Sequence, residues 1–221
     1  MTFTHTSRLF KALSISAVLL CTGNSAVFAD EIEVSYKTFH SHVRKLENDD
    51  TQALRFAFGF THIQSGKLCQ INSARISTQK QQIPLEISSE NRFTIPSEKA
   101  LRLADAMIYI DVSEPSNQCD ISVQLETKPE YNKRYYSFEE LVFIKEQYEA
   151  FFNEMGSFLS FMMPTVKGLV VQFEDQSYTS TMENGYTITQ GTLTLNEAFF
   201  EAGKPINLPI EPLRITALAT N

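Results

Sequence analysis

From Ser137 onward the sequence places Leu141, Ile144, Tyr148, Phe151, Met155, Phe158 and Met162 at alternating spacings of three and four. That spacing lines one face of an α-helix, because residues three and four apart share a stripe on its surface. Ser137 and Glu140 form an S-x-x-E capping box, in which each side chain satisfies a backbone donor that the first turn leaves orphaned. Pro164 has no N–H and its ring collides with the preceding turn, so it ends the pattern. The spacing therefore predicts one long amphipathic helix over about 138–163, well beyond the usual length of about 11–12 residues. Its first half carries a broad polar face, Glu139, Glu140, Lys145, Glu146, Gln147 and Glu149, which narrows to Asn153, Glu154, Ser157 and Ser160. A helix apolar nearly all round is buried on several sides, so this one is expected to enter from solvent and end between packed layers.

The flanking segments read as β-structure. "YKTFHSHVRKLEND" first gives a short N-terminal helix, with Tyr36, Phe39, Val43 and Leu46 at helical spacing. "QALRFAFGF" then alternates, placing Leu54, Phe56, Phe58 and Phe60 on one face of a strand. A Ser65-Gly66 turn follows, and "LCQINSARIS" reads as the returning strand. "IPLEIS", "RFTI", "AMIYIDV" and "CDISVQLET" continue the pattern to residue 127. Beyond Gly168, Leu169, Val171 and Phe173 alternate inward, and Asn184-Gly185 suits the positive φ angles of a type I′ hairpin turn. Pro205, Pro209 and Pro212 fit edge strands or loops. The expected fold class is α+β, with two small antiparallel β-lobes joined by the long helix. Its parts are a signal peptide (1–29), an N-terminal helix plus β-lobe (30–127), a linker (128–137), the helix (138–163) and a C-terminal β-lobe (164–221).

Residues 92–112 and 192–218 share an order of short strand, helical turn and strand, with Phe93, Ile95 and Leu101 matching Leu193, Leu195 and Phe200. The match lies in pattern more than identity, and the punctuation common to β-rich chains accounts for it more simply than duplication. The apolar run from Phe158 to Phe173 is broken at Pro164 and Gly168. It falls short of the roughly 20 uninterrupted apolar residues of a membrane span, so it reads as the buried helix end, a corner and a first strand.

The first thirty residues carry an address. Arg8 and Lys11 precede an apolar stretch from Ala12 to Cys21, and Val27-Phe28-Ala29 offers a cleavage site before Asp30. This is the grammar of a secretory signal peptide. The rival reading, a lipoprotein acylated at Cys21, is disfavoured by the bulky Leu20 before it. Cleavage removes two basic residues from a chain already at −7. Such a balance argues against nucleic acid and anionic lipid surfaces as partners. It also leaves Cys69 and Cys119 as a pair in an oxidising compartment, where one disulfide is the expected state.

Several segments together resemble a known group. They are the aromatic helix "YKTFHSHVRKL", the unit "FGFTHIQSGKLCQI", the second cysteine ahead of a strand in "CDISVQL", and "FMMPTVKGLVVQF" after a long helix. The most distinctive piece is Met163-Pro164 followed by Lys167-Gly168-Leu169. The chain is similar, over most of its length beyond the signal, to a domain-of-unknown-function family of small exported proteins of Gram-negative bacteria. The resemblance implies a periplasmic address and carries no catalytic or binding residues.

Known catalytic motifs are missing from the sequence. His40 and His42 stand two apart, which on a helix turns them to different sides, and the H-E-x-x-H pattern does not occur. Glu47-Asn48-Asp49-Asp50 lacks the spacing of a calcium loop. No nucleophile elbow or phosphate-cradling loop is present. No metal or cofactor is expected. Tyr131, Lys133, Arg134, Tyr135 and Tyr136 form one basic aromatic cluster, a candidate partner surface on the linker. The sequence thus favours a non-catalytic binding or interaction protein of the cell envelope, with another protein, a peptide or a small ligand as partner. The alternatives are an envelope hydrolase with a carboxylate-based site, and an oligomer subunit pairing through the long helix.

Overall fold

The computed structural model describes residues 31–155, 164–183 and 185–220. The predicted signal segment, residues 156–163 of the predicted helix, and Asn184 of the predicted turn lie outside the described residues.

The first half opens with β1 (Glu31–Ser35), α1 (Tyr36–Val43) and β2 (Leu54–His62). It continues through β3 (Ile71–Ser77), β4 (Gln82–Pro84), α2 (Lys99–Leu103), β5 (Met107–Val112) and β6 (Cys119–Thr127). The second half runs through β7 (Tyr135–Tyr136), α3 (Phe138–Met155), β8 (Thr165–Gln172), β9 (Ser180–Thr181) and β10 (Thr187–Ile188). It ends with β11 (Thr192–Leu195), α4 (Glu197–Ala202), β12 (Ile206–Asn207) and β13 (Arg214–Thr220).

The expectation of two lobes joined by one long helix is overturned. Among the described residues the chain is mostly β-strand in several small sheets, with four α-helices, the longest of 18 residues. The capping box forms as read: the Ser137 amide donates to Glu140 Oε2 at 2.9 Å, and the Glu140 amide to Ser137 Oγ at 3.3 Å. Leu141, Ile144, Tyr148 and Phe151 are buried, but the stripe leaves the core at Met155, which is 44% exposed. The helix is one wall of the second half's core and does not connect the halves. They meet directly: Thr127 Oγ1 accepts from the Ile215 amide at 2.9 Å, and the Ala53 amide donates to Gln147 Oε1 at 2.9 Å. Asn132 Nδ2 donates to the Leu213 carbonyl at 2.8 Å.

One order of pairing is used twice. In the first half β1 pairs antiparallel with β5, β2 with β6 and β3 with β4, and Phe93 bridges the other edge of β2 at Phe58. In the second half β7 pairs with β12, β8 with β13 and β9 with β10, and β11 takes the other edge of β8. The helices correspond as well. Leu101 of α2 and Phe199 of α4 are buried, and each helix is followed by a left-handed residue, Asp105 at φ 49° or Gly203 at φ 62°. Phe199 rather than Phe200 is therefore the counterpart of Leu101. The recurrence was discounted at the sequence level because it lives in pairing order, which few identities betray.

Two further readings change. β2 pairs with β6 along its whole length, whereas the segment read as its returning strand only touches it at Leu68 and Cys69 before joining β4 and β5 as β3. The second hairpin closes through the Met182 amide on the Tyr186 carbonyl, with Gly185 at φ 85°. The closing pair is thus Met182 with Tyr186, one residue wider than the two-residue turn read from the sequence.

Each half has its own core. α1, β2 and β5 bury Tyr36, Phe39, Phe58, Ile108 and Ile110 in the first. α3, β8, β11 and β13 bury Leu141, Tyr148, Leu169, Val171, Leu193 and Ile215 in the second. Phe56 packs against both, with ring centroids 6.0 Å from Phe58 and 5.7 Å from Phe151.

Candidate functional site

Cys69 and Cys119 form a disulfide, with Cα atoms 6.4 Å apart. It joins the two segments that run beside the end of β2: the Cys69 amide donates to Phe60, and Cys119 lies opposite His62. Glu114 lies within reach of both sulfurs. A disulfide sulfur is not a thiolate, so this trio is not a metal-ligand set. His40 is buried against the Tyr36 ring while His42 is exposed, as their spacing on the helix requires.

The linker cluster divides. Tyr136 is a core residue whose hydroxyl accepts from the Lys133 amide and donates to the Tyr131 carbonyl, and burial pushes its pKa up to about 12. Tyr131 stacks on Phe143, and Lys133 pairs with Glu140 while lying 5.6 Å above the Tyr136 ring. Arg134 and Tyr135 remain open, the latter 56% exposed, and line a cleft of about 480 Å³ between β9 and β12. In the first half β5 pairs on both edges, with β1 and β3. β12 pairs only with β7 among the described residues. Pro205 and Pro209 line the open side, and a proline offers no N–H to a ladder.

A second site lies where the halves meet. Glu126 on β6 and Arg214 on β13 are 4% and 9% exposed. Arg55 on β2 donates from Nε and Nη2 to Glu126 Oε1 at 3.0 and 2.8 Å. Arg214 forks onto Glu90 through both terminal nitrogens, and its Nη1 lies 3.7 Å from Glu126 Oε2. Taking one member from such a buried network leaves an uncompensated charge, a loss of about 3–5 kcal/mol. Arg92 joins the same cavity, of about 190 Å³, but is half-buried without a carboxylate partner among the described residues. Among the described residues its guanidinium makes long hydrogen bonds, 3.4 Å each, to the Ala57 carbonyl and Ser122 Oγ, and Glu126 and Glu90 attract it from beyond ion-pair distance. Burial, and then the charge of Arg214, push its pKa down.

Beside this polar cavity runs an apolar groove of about 610 Å³. Val43, Leu46, Phe56, Ile83, Leu85 and Ile95 line it, and Glu47, Glu86, Lys128 and Glu130 stand along it. Groove and cavity share Arg55, Glu86 and Thr94, so an apolar trough opens onto a charged end, lined by Arg55, Arg92 and Arg214 with Glu86, Glu90 and Glu126.

The model of a protein family of unknown function, DUF2987, matches residues 28–173. The chain belongs to that family. The match covers about two thirds of the sequence, from before β1 to just past β8, and takes in both the groove and Arg92. No curated protein and no solved structure matches the chain.

No sequence motif marked this site. Its ion pairs join residues as far apart as Glu90 and Arg214, 124 positions. The usable signal was a charge inside an apolar strand, as in "LRITAL" or "QLET", which reads on its own as an edge or a solvated face.

Proposed function

We propose that this protein is a non-catalytic binding protein of the cell envelope that holds an apolar ligand in the groove lined by its first half and the linker. The observation that carries this reading is the continuity of the apolar trough with the Arg92 cavity. Ligand sites of this kind are concave and mostly apolar, with a few convergent polar groups that fix orientation. The address is part of the proposal: the basic, apolar and small-residue order of 1–29 supports export by a signal peptide, and the disulfide suits an oxidising periplasm. None of the described helices is long and apolar enough to cross a membrane.

Two other readings are weaker. A carboxylate-based hydrolase needs convergent carboxyls free to exchange protons, whereas Glu90 and Glu126 are both engaged by arginines and Glu86 stands in solvent at the mouth. Pairing through the helix needs an open stripe, and Leu141 to Phe151 face the protein's own core.

The neutral dye N-phenyl-1-naphthylamine, which brightens in apolar surroundings, tests the groove. It is expected to bind the wild-type chain, and Thr94→Trp, at an exposed lining position, is expected to weaken binding by about tenfold or more. Equal brightening in both proteins would remove the groove as the site.

A further inference from the structure

We infer, resting on the groove reading above, that the polar end of the groove is a carboxylate site centred on Arg92, and that its ligand is a single-chain amphiphile, an alkyl chain ending in one carboxylate. The cavity lining carries Arg55, Arg92 and Arg214 against Glu90 and Glu126, with Glu86 exposed at its mouth. Two of the arginines are matched by those glutamates, Arg55 with Glu126 and Arg214 with Glu90. The third is Arg92, whose hydrogen bonds to Ala57 and Ser122 are long and neutral. A half-buried guanidinium with neutral partners gains most from an anion that can take two parallel N–H bonds, and a carboxylate has that shape. Burial and the Arg214 charge work against the Arg92 charge while Glu126 and Glu90 attract it, and an anion in direct contact adds to that attraction.

Position ties the head to the tail. The Ser88 amide donates to the Arg92 carbonyl, and Ile87 bridges Phe93, so 86–94 folds back on itself as a short hairpin. Arg92 and Thr94 stand two apart on its second arm and line the cavity together, and Thr94 also lines the apolar groove. A carboxylate on Arg92 therefore directs its chain past Thr94 toward Phe56, Ile83 and Leu85. Glu86 stands at the shared mouth, exposed to solvent, where it disfavours a second negative charge on the ligand.

Titration calorimetry of the full chain with decanoate, 1-decanol and decyltrimethylammonium separates head from tail. Decanoate is expected to bind about tenfold or more tighter than 1-decanol, with decyltrimethylammonium weakest, in line with a charge-assisted fork to an arginine. Arg92→Gln is expected to erase the decanoate advantage and leave 1-decanol unchanged. Glu86→Gln, at an exposed position, is expected to raise decanoate affinity about two- to threefold and serves as the independent variant if Arg92→Gln does not fold. Equal affinity for decanoate and 1-decanol, or a decanoate advantage that survives in Arg92→Gln, overturns the carboxylate site and leaves the groove standing. No binding of any of the three overturns the groove as well.

Discussion

Gly168→Ala is expected to destabilise the chain by at least about 3 kcal/mol, or to prevent it from accumulating in folded form. β8 is the central strand of the sheet β11-β8-β13. Its pairing with β13 slips at Gly168: Leu218 lies opposite Gly168, whereas Ala219 lies opposite Val166. Lys167 is thus the extra residue of a bulge, and the bulge turns the glycine toward the end of β11. A Cβ built on Gly168 would sit 2.0 Å from the Leu195 carbonyl oxygen, with Asn196 Cα at 3.1 Å. Those atoms are backbone, held by the β11–β8 ladder and by the Asn196 cap of α4, whose Oδ1 accepts from the Phe199 amide. No side-chain rotation relieves the clash, so the strands must separate. Gly66→Ala is the control: its φ is 67° with open space around it, and its cost is expected to be about 1 kcal/mol. Urea denaturation of both variants checks this, and a Gly168→Ala midpoint near that of Gly66→Ala would show that the bulge is not formed as described.

Removing the disulfide by Cys69→Ala with Cys119→Ala is expected to lower stability by about 4 kcal/mol, the chain-entropy value for a loop of this length. The bridge closes a separation of 50 residues that contains β3, β4, α2 and β5, most of the first half's sheet. Both cysteines are buried, and their neighbours Phe60 and Ile71 belong to the same core. The loss is therefore expected to appear as a lower denaturant midpoint with a steeper unfolding slope, because the released chain exposes more surface when it unfolds. Adding a reductant to the wild-type chain should reproduce most of it. Identical midpoints for wild type and double variant would mean that the bridge constrains nothing that the cores do not already hold.

Local features were legible because local chemistry makes them. Ser137 and Glu140 sit three apart and cap each other, and Leu169, Val171 and Phe173 alternate into the core as read. Of the features set by partners distant in sequence, the Cys69–Cys119 bridge forms as read, while the strand pairings and the meeting of the halves were not legible. The spacing from Leu141 to Met162 correctly starts a helix, but periodicity does not say that the stripe leaves the core at Met155 or that the halves meet through β6 and β13. Leu54, Phe56 and Phe58 lie on one face of one strand, yet Leu54 belongs to the second core, Phe58 to the first and Phe56 to both. An alternating pattern names a buried face without naming which core it faces. The candidate site was the least visible part, since Arg55, Arg92, Glu126 and Arg214 come from four separate segments and converge only on folding.

Amide hydrogen exchange with and without N-phenyl-1-naphthylamine locates the ligand proposed for the apolar groove. Binding there is expected to slow exchange in 54–56, 83–86 and 94–97, which line the groove, and to leave β9 and the 205–209 cleft unchanged. Protection confined to that second cleft, or spread evenly over the chain, would contradict the account.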